Sequence, residues 1–218
     1  MVFRYLLQTG AFAQLTSPRI LEIGPKHGQD SALLATLAPR ELVLIDLPEK
    51  RELIETWLPP LAERVPTRFL EANLLYLDPA EVAALGTFDL VWCLGVLYHN
   101  VEQLRLLRRL FTLCAPDGTV VIETATTRNL LLARRNVVEL HWPHPYRNTQ
   151  TVTHLPSRRA VASWLEMVGF ENVRTVPADS WYTGWQRAVL TGTRPRIDRG
   201  YASYDAGHGG IWRAGEAS

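Results

Sequence analysis

The chain is poor in the features that mark several classes of protein. Of its 218 residues only two are cysteine, Cys93 and Cys114, and no C-x-x-C pair occurs. That excludes a disulfide framework and a cysteine-built zinc site, and leaves two small core residues. Lysine is confined to Lys26 and Lys50, and the formal net charge is +1, so nothing global selects nucleic acid or an acidic membrane surface. No apolar run is long enough to span a bilayer. The opening MVFRYLLQTGAFAQL carries Ala11-Phe12-Ala13, yet Arg4 and Gln8 interrupt it before it could act as a secretion signal. The expectation is a cytoplasmic protein with no membrane association. One absence raises a question instead of closing one. In Leu21–Ser31, LEIGPKHGQDS, Gly24 and Gly28 flank a lysine where a third glycine would suit a nucleotide-binding turn.

What is present suits one α/β domain. A hydrophobic fraction of 47% with 21% charged residues is ordinary for a globular protein. Short apolar segments predict strands at Arg19–Ile23, Glu41–Ile45, Thr67–Glu71, Phe88–Leu94 and Thr119–Thr124. Helical patterns lie between several of them: Gln29–Leu37, Pro48 to about Arg64 with a kink at Pro59-Pro60, and Val101–Cys114. Ser157 caps a further helix closed by Gly169, and Val173–Val176 and Arg187–Thr191 supply two last strands. This alternation predicts a Rossmann-like, seven-stranded, mostly parallel sheet with helices on both faces and a C-terminal antiparallel hairpin. One domain over residues 1–193 would carry an insertion at 128–155, leaving a Gly-rich tail at 194–218.

Sheets of this kind bind ligands beyond the carboxyl ends of their strands. Gly24 and Gly28 let the backbone turn and approach a ligand closely, although many strand-to-helix turns carry two glycines. Asp46 closes the second strand, placed to accept from ribose hydroxyls or to cap the next helix. Asn73 follows the third strand and could accept from an adenine amino group beside the Leu74 N–H, or form a turn. The fourth strand breaks at Gly95 and releases Leu97, Tyr98 and His99.

Together LEIGPKHG, LID, EANLL, FDLVWCLGVLYHN and APDGTVVIETAT resemble the class I S-adenosylmethionine (SAM)-dependent methyltransferases over roughly Arg19 to Thr191. GVLYH, with the later RNTQTVTHLPS before an amphipathic helix, is similar to the subgroup that includes tRNA wobble-uridine carboxymethyl-transferring enzymes. The resemblance implies SAM as cofactor. It would be held by Glu22, Gly24, Pro25, Lys26, Gly28, Asp46, Leu47, Asn73, Leu74, Leu94 and Gly95. Lys26 departs from the family's usual glycine and could grip the cofactor carboxylate. Fewer than twenty residues precede the first strand, where the tRNA enzymes carry a long region, so plain methyl transfer is the expectation.

Methyl transfer from a sulfonium is mainly a matter of alignment. His99 is the candidate base, and Tyr98 could orient acceptor or donor. His141, Trp142, Tyr146, Arg147 and His154 of the insertion would form an aromatic, arginine-lined acceptor pocket, with no metal. A small-molecule acceptor is expected, with RNA the alternative. A SAM-binding module without turnover and a nicotinamide-dependent oxidoreductase are the other rivals.

Overall fold

Each central strand alternates between two cores. Leu21, Ile23, Val43, Ile45, Val91, Cys93, Val120 and Ile122 face one side of the sheet; Ile20, Leu42, Leu44, Leu90, Trp92 and Val121 face the other. A strand buried on both faces reads as a continuous apolar run, as LVLI and LVWCL do, while in RILEI the run is interrupted by Glu22. The computed structural model describes residues 2–144, 146, 151–176 and 187–197. Its main sheet has the order β3-β2-β1-β4-β5-β9-β8, built from β1 (Arg19–Ile23), β2 (Glu41–Asp46), β3 (Thr67–Glu71), β4 (Phe88–Leu94), β5 (Cys114–Ala125), β8 (Glu171–Val176) and β9 (Arg187–Thr193). The first five pair in parallel. β9 runs antiparallel to both β5 and β8, the expected hairpin. Strand order reverses between β1 and β4, which opens a crevice beyond their carboxyl ends.

Helices cover both faces. On one, α5 (Pro79–Ala84), α6 (Gln103–Leu113) and α8 (Arg158–Met167) bury Val82, Leu107, Phe111, Val161 and Leu165. Ser157 caps α8, its hydroxyl accepting from the Ala160 N–H at 2.9 Å. On the other face lie α1 (Val2–Gln8), α2 (Gln29–Leu34), α3 (Arg51–Glu55) and α4 (Leu58–Ala62). α1 is part of the core: Phe3 and Phe12 pack against Trp92, with ring centroids 6.1 and 6.4 Å from it.

Three details differ from the sequence expectation. The helix after β2 breaks at Thr56-Trp57, before the prolines, because Pro59 and Pro60 fit the first turn of α4, where no N–H is needed. β5 begins at Cys114, and the Pro116–Gly118 turn survives as an irregularity within it, Asp117 at φ 62°. The insertion folds into α7 (Leu130–Ala133) and a two-stranded hairpin of β6 (Val138–Leu140) and β7 (His154–Pro156). No helix among the described residues is long and apolar enough to cross a membrane.

Candidate functional site

The turn after β1 keeps its tight shape without a central glycine. Gly24, Lys26 and Gly28 all have positive φ, at 73°, 45° and 70°. For a residue with a Cβ that conformation costs about 1–2 kcal/mol, so something must hold Lys26 there. Its N–H donates to Asp46 Oδ2 at 3.2 Å, while the Asp46 Oδ1 accepts from the Leu47 N–H at 2.8 Å. The acidic end of β2 is thereby tied to the loop after β1. Partial burial pushes the Asp46 pKa up, against the pull of the Leu47 and Lys26 hydrogen bonds and of Lys50.

Behind this loop lies a cavity of about 170 Å³, lined by Glu22, Pro25, Lys26, Asp30, Trp92 and Leu94 among others. Glu22 is buried and accepts a hydrogen bond from the Ser31 hydroxyl at 2.6 Å. Burial, with added repulsion from Asp30 and Asp46, pushes its pKa up to about 8, so it carries a proton at neutral pH. Burial also raises Asp30, while the indole of Trp92 pulls it down. That indole N–H makes no hydrogen bond of good geometry although fully buried. It is directed at the Asp30 carboxylate on the cavity wall.

The fourth strand ends as expected. Gly95, at φ 73°, donates its N–H to the Glu123 carbonyl at 3.0 Å and starts a turn that lifts Tyr98 and His99 above the sheet. Their rings lie 4.1 Å apart. His99 Nδ1 and Thr151 Oγ1 are 2.8 Å apart, which joins the turn to the insertion. Burial, then Arg187 and Lys26, lower the His99 pKa below its ordinary value, leaving the imidazole neutral at pH 7.

Sequence reasoning missed two residues here. Glu123 of β5 is buried and paired with the Arg187 guanidinium of β9 through both Nε and Nη2. Burial opposes the guanidinium's charge, but the Glu123 hydrogen bonds outweigh it and keep Arg187 ionised. Its guanidinium carbon lies 4.8 Å from the centre of the Tyr98 ring. The signal in the sequence was a charged residue inside each of two strands, ETAT and RAVLT.

The insertion residues divide. Tyr146 and Tyr98 both pack against Ala125, Val152 and Leu155, and His141 meets Tyr146 edge-on at 5.3 Å. His154 sits in β7, where its Nδ1 is 2.8 Å from Thr153 Oγ1. Trp142 is 75% exposed and stands away from that cluster. Arg147 lies outside the described residues, as do Tyr201, Tyr204 and Trp212 of the tail. Asn73 forms the local turn, its side-chain oxygen accepting from the Leu75 N–H at 3.0 Å, so one of its lone pairs is already taken. Leu74 is buried beside it. Among the described residues no group of three or more His, Cys, Asp or Glu side chains could hold a metal ion.

Residues 2–175 match a family model described as a methyltransferase domain. The chain is similar to tRNA U34 carboxymethyltransferases: 31% identical over 185 residues to that of Desulforapulum autotrophicum, covering 81% of this chain and 53% of the relative. Against that of Psychromonas ingrahamii it is 31% identical over 126 residues, 58% of this chain and 37% of the relative. The chain thus spans about half or less of the length of these relatives. Among solved structures, the N-terminal domain of EvdMO1, crystallised in the presence of SAH and D-fucose, superposes with a TM-score of 0.64 at 23% identity, covering 88% of this chain and 81% of that one. The CurJ carbon methyltransferase gives 0.64 at 18% identity, covering 87% and 52%. These likenesses establish the fold.

Proposed function

Because the chain belongs to the methyltransferase-domain family, we propose that it is a SAM-dependent methyltransferase with its donor site at the β1, β2 and β3 ends and its acceptor site above Tyr98 and His99. The observation that carries this reading is the tie between Asp46 and the Lys26 N–H, which fixes a carboxylate beside a close-approach loop at the strand switch point. When bound, SAM supplies a methyl group already activated by a sulfonium leaving group.

The cavity's chemistry fits that donor. Its free amino acid end carries a cation and an anion, and the wall offers both matches. Asp30 offers a carboxylate to the cation and Glu22 a neutral hydrogen-bonding oxygen, while Lys26 can meet the anion. Asp46 keeps lone pairs for ribose hydroxyls, and Gly24 and Gly28 make room for Val96 and Trp57, which shape the loop beside it. Neutral His99 accepts the proton of an acceptor that arrives protonated, and Tyr98 orients it. The acceptor is a small molecule: the floor of Tyr98, His99 and the charge-compensated Glu123–Arg187 pair, with Tyr146 beside it, is compact and half-buried.

A second reading has its own support. Arg128, Arg134, Arg135 and Arg159 are exposed and make no ion pair among the described residues, whereas Arg19, Arg40 and Arg51 are all paired. An unneutralised arginine set on the insertion side suits an RNA acceptor, in line with the relatives' names. Those names also specify a carboxymethyl group, whose carboxylate Arg187 and Lys26 could face near His99.

Calorimetric titration with S-adenosylhomocysteine tests the donor site. Binding near the micromolar range, about −8 kcal/mol, is expected, with no binding as the outcome that sinks it. Salt-sensitive tRNA binding, absent for a variant with all four arginines changed to glutamine, would select the second reading over the first.

A further inference from the structure

Lys26 is pinned at both of its peptide groups. Asp46 takes its N–H, and its carbonyl accepts from the Trp57 indole N–H at 2.9 Å. The same indole lies flat against Gly28: a Cβ there would fall 2.4 Å from the ring. Trp57 occupies the two-residue break between α3 and α4, with its own N–H given to the Ile54 carbonyl and Pro59 and Pro60 stiffening the turn that follows. The crossover from β2 to β3 therefore reaches back and grips the loop after β1 from the side opposite Asp46.

We propose that Trp57 is a positioning residue for the donor: its indole N–H and ring hold the Lys26–Gly28 segment in the left-handed turn that a third glycine would otherwise make easy. The proposal rests on the donor reading above. A loop free to relax Lys26 to negative φ would swing its peptide away from Asp46, and the carboxylate would lose its place beside the ribose site. With Trp57 in place the loop is already shaped before the donor arrives, and less ordering cost is charged to binding.

The test is a double-mutant cycle on S-adenosylhomocysteine affinity, using wild type, Trp57→Phe, Lys26→Gly and the double variant. Trp57→Phe keeps a ring over Gly28 and deletes the N–H, so the fold is retained; thermal melting of each variant checks that. Loss of one neutral hydrogen bond should weaken binding roughly fivefold. In the Lys26→Gly background the same change should cost little, because glycine adopts positive φ unaided. In protein labelled with 5-fluorotryptophan, the fluorine resonance absent from Trp57→Phe should shift on titration with S-adenosylhomocysteine. Equal losses in both backgrounds, or none in either, would overturn the proposal and leave the donor site intact. Failure of wild type to bind would overturn both.

Discussion

Arg187 stands over the Tyr98 ring, its guanidinium carbon 4.8 Å from the ring centre. β9 and the turn after β4 contribute one residue each, and the sequence separates them by 89 positions. The arginine is not free to move, since Glu123 holds two of its nitrogens. A buried carboxylate, a guanidinium and an aromatic face thus form one stack from the sheet to the turn after β4.

Removing one partner should be far worse than removing both. Glu123 has 2% of its side chain exposed and Arg187 28%. Arg187→Met leaves a buried charge alone and is expected to cost about 3–5 kcal/mol of folding stability. The double variant Glu123→Leu, Arg187→Met should regain much of that while losing activity. Urea unfolding of wild type, Glu123→Leu, Arg187→Met and the double variant measures it; additive losses would refute the coupling.

Glu22 should make the protein less stable as pH rises. Its folded pKa of about 8 lies above the ordinary value of 4.5, so between those limits the folded state holds a proton that the unfolded chain releases. Stability is complete below about 4.5 and falls by up to roughly 1.4 kcal/mol per pH unit until about 8. Asp30 and Asp46 act in the same direction, and His99, lowered by burial, in the opposite one below about 6.5. Glu22→Gln removes the largest part of the slope, and its advantage over wild type should widen across that window in urea titrations. A constant difference would mean that Glu22 is ionised in the fold.

Once an acceptor is found, His99 should give the pH–rate profile an acidic limb centred below the ordinary imidazole value. The shift comes from burial, then from Arg187 and Lys26. His99→Gln should lower kcat by about 10²–10⁴-fold and abolish the limb, with donor affinity unchanged. A variant that keeps the limb would place the base elsewhere.

Asp46→Ala should weaken S-adenosylhomocysteine binding by roughly 10–100-fold, the worth of one or two charge-assisted hydrogen bonds. Asp46→Asn keeps an acceptor oxygen and should lose less. Calorimetry on both variants, with circular dichroism to confirm the fold, decides this.

The parallel core was legible because β2 and β4 are buried on both faces and leave apolar runs in the sequence, and β1 does so but for Glu22. The loop after β1 and its tie to Asp46 were legible as a candidate site for a similar reason: Gly24, Gly28 and Asp46 lie within 23 positions of one another and are placed by adjacent elements. Long-range pairs were not. Glu123 and Arg187 are separated by 64 positions, and each alone reads as a polar residue in a strand. α5 went unread although Asp78 and Glu81 form a reciprocal capping box with Pro79 between them. Trp57 was hidden by the prolines after it, which drew attention as the helix breaker. Trp142 looked like a pocket residue by type and is turned to solvent instead.

The aromatic trio of Phe3, Phe12 and Trp92 has a mechanical consequence. Trp92 is at once a wall of the cavity behind the β1 loop and the anvil on which α1 rests. Pulling on the first helix therefore strains the pocket. A tag or tether fixed at that end should weaken binding in the cavity through Trp92, on the same face of the sheet, without touching the loop after β1.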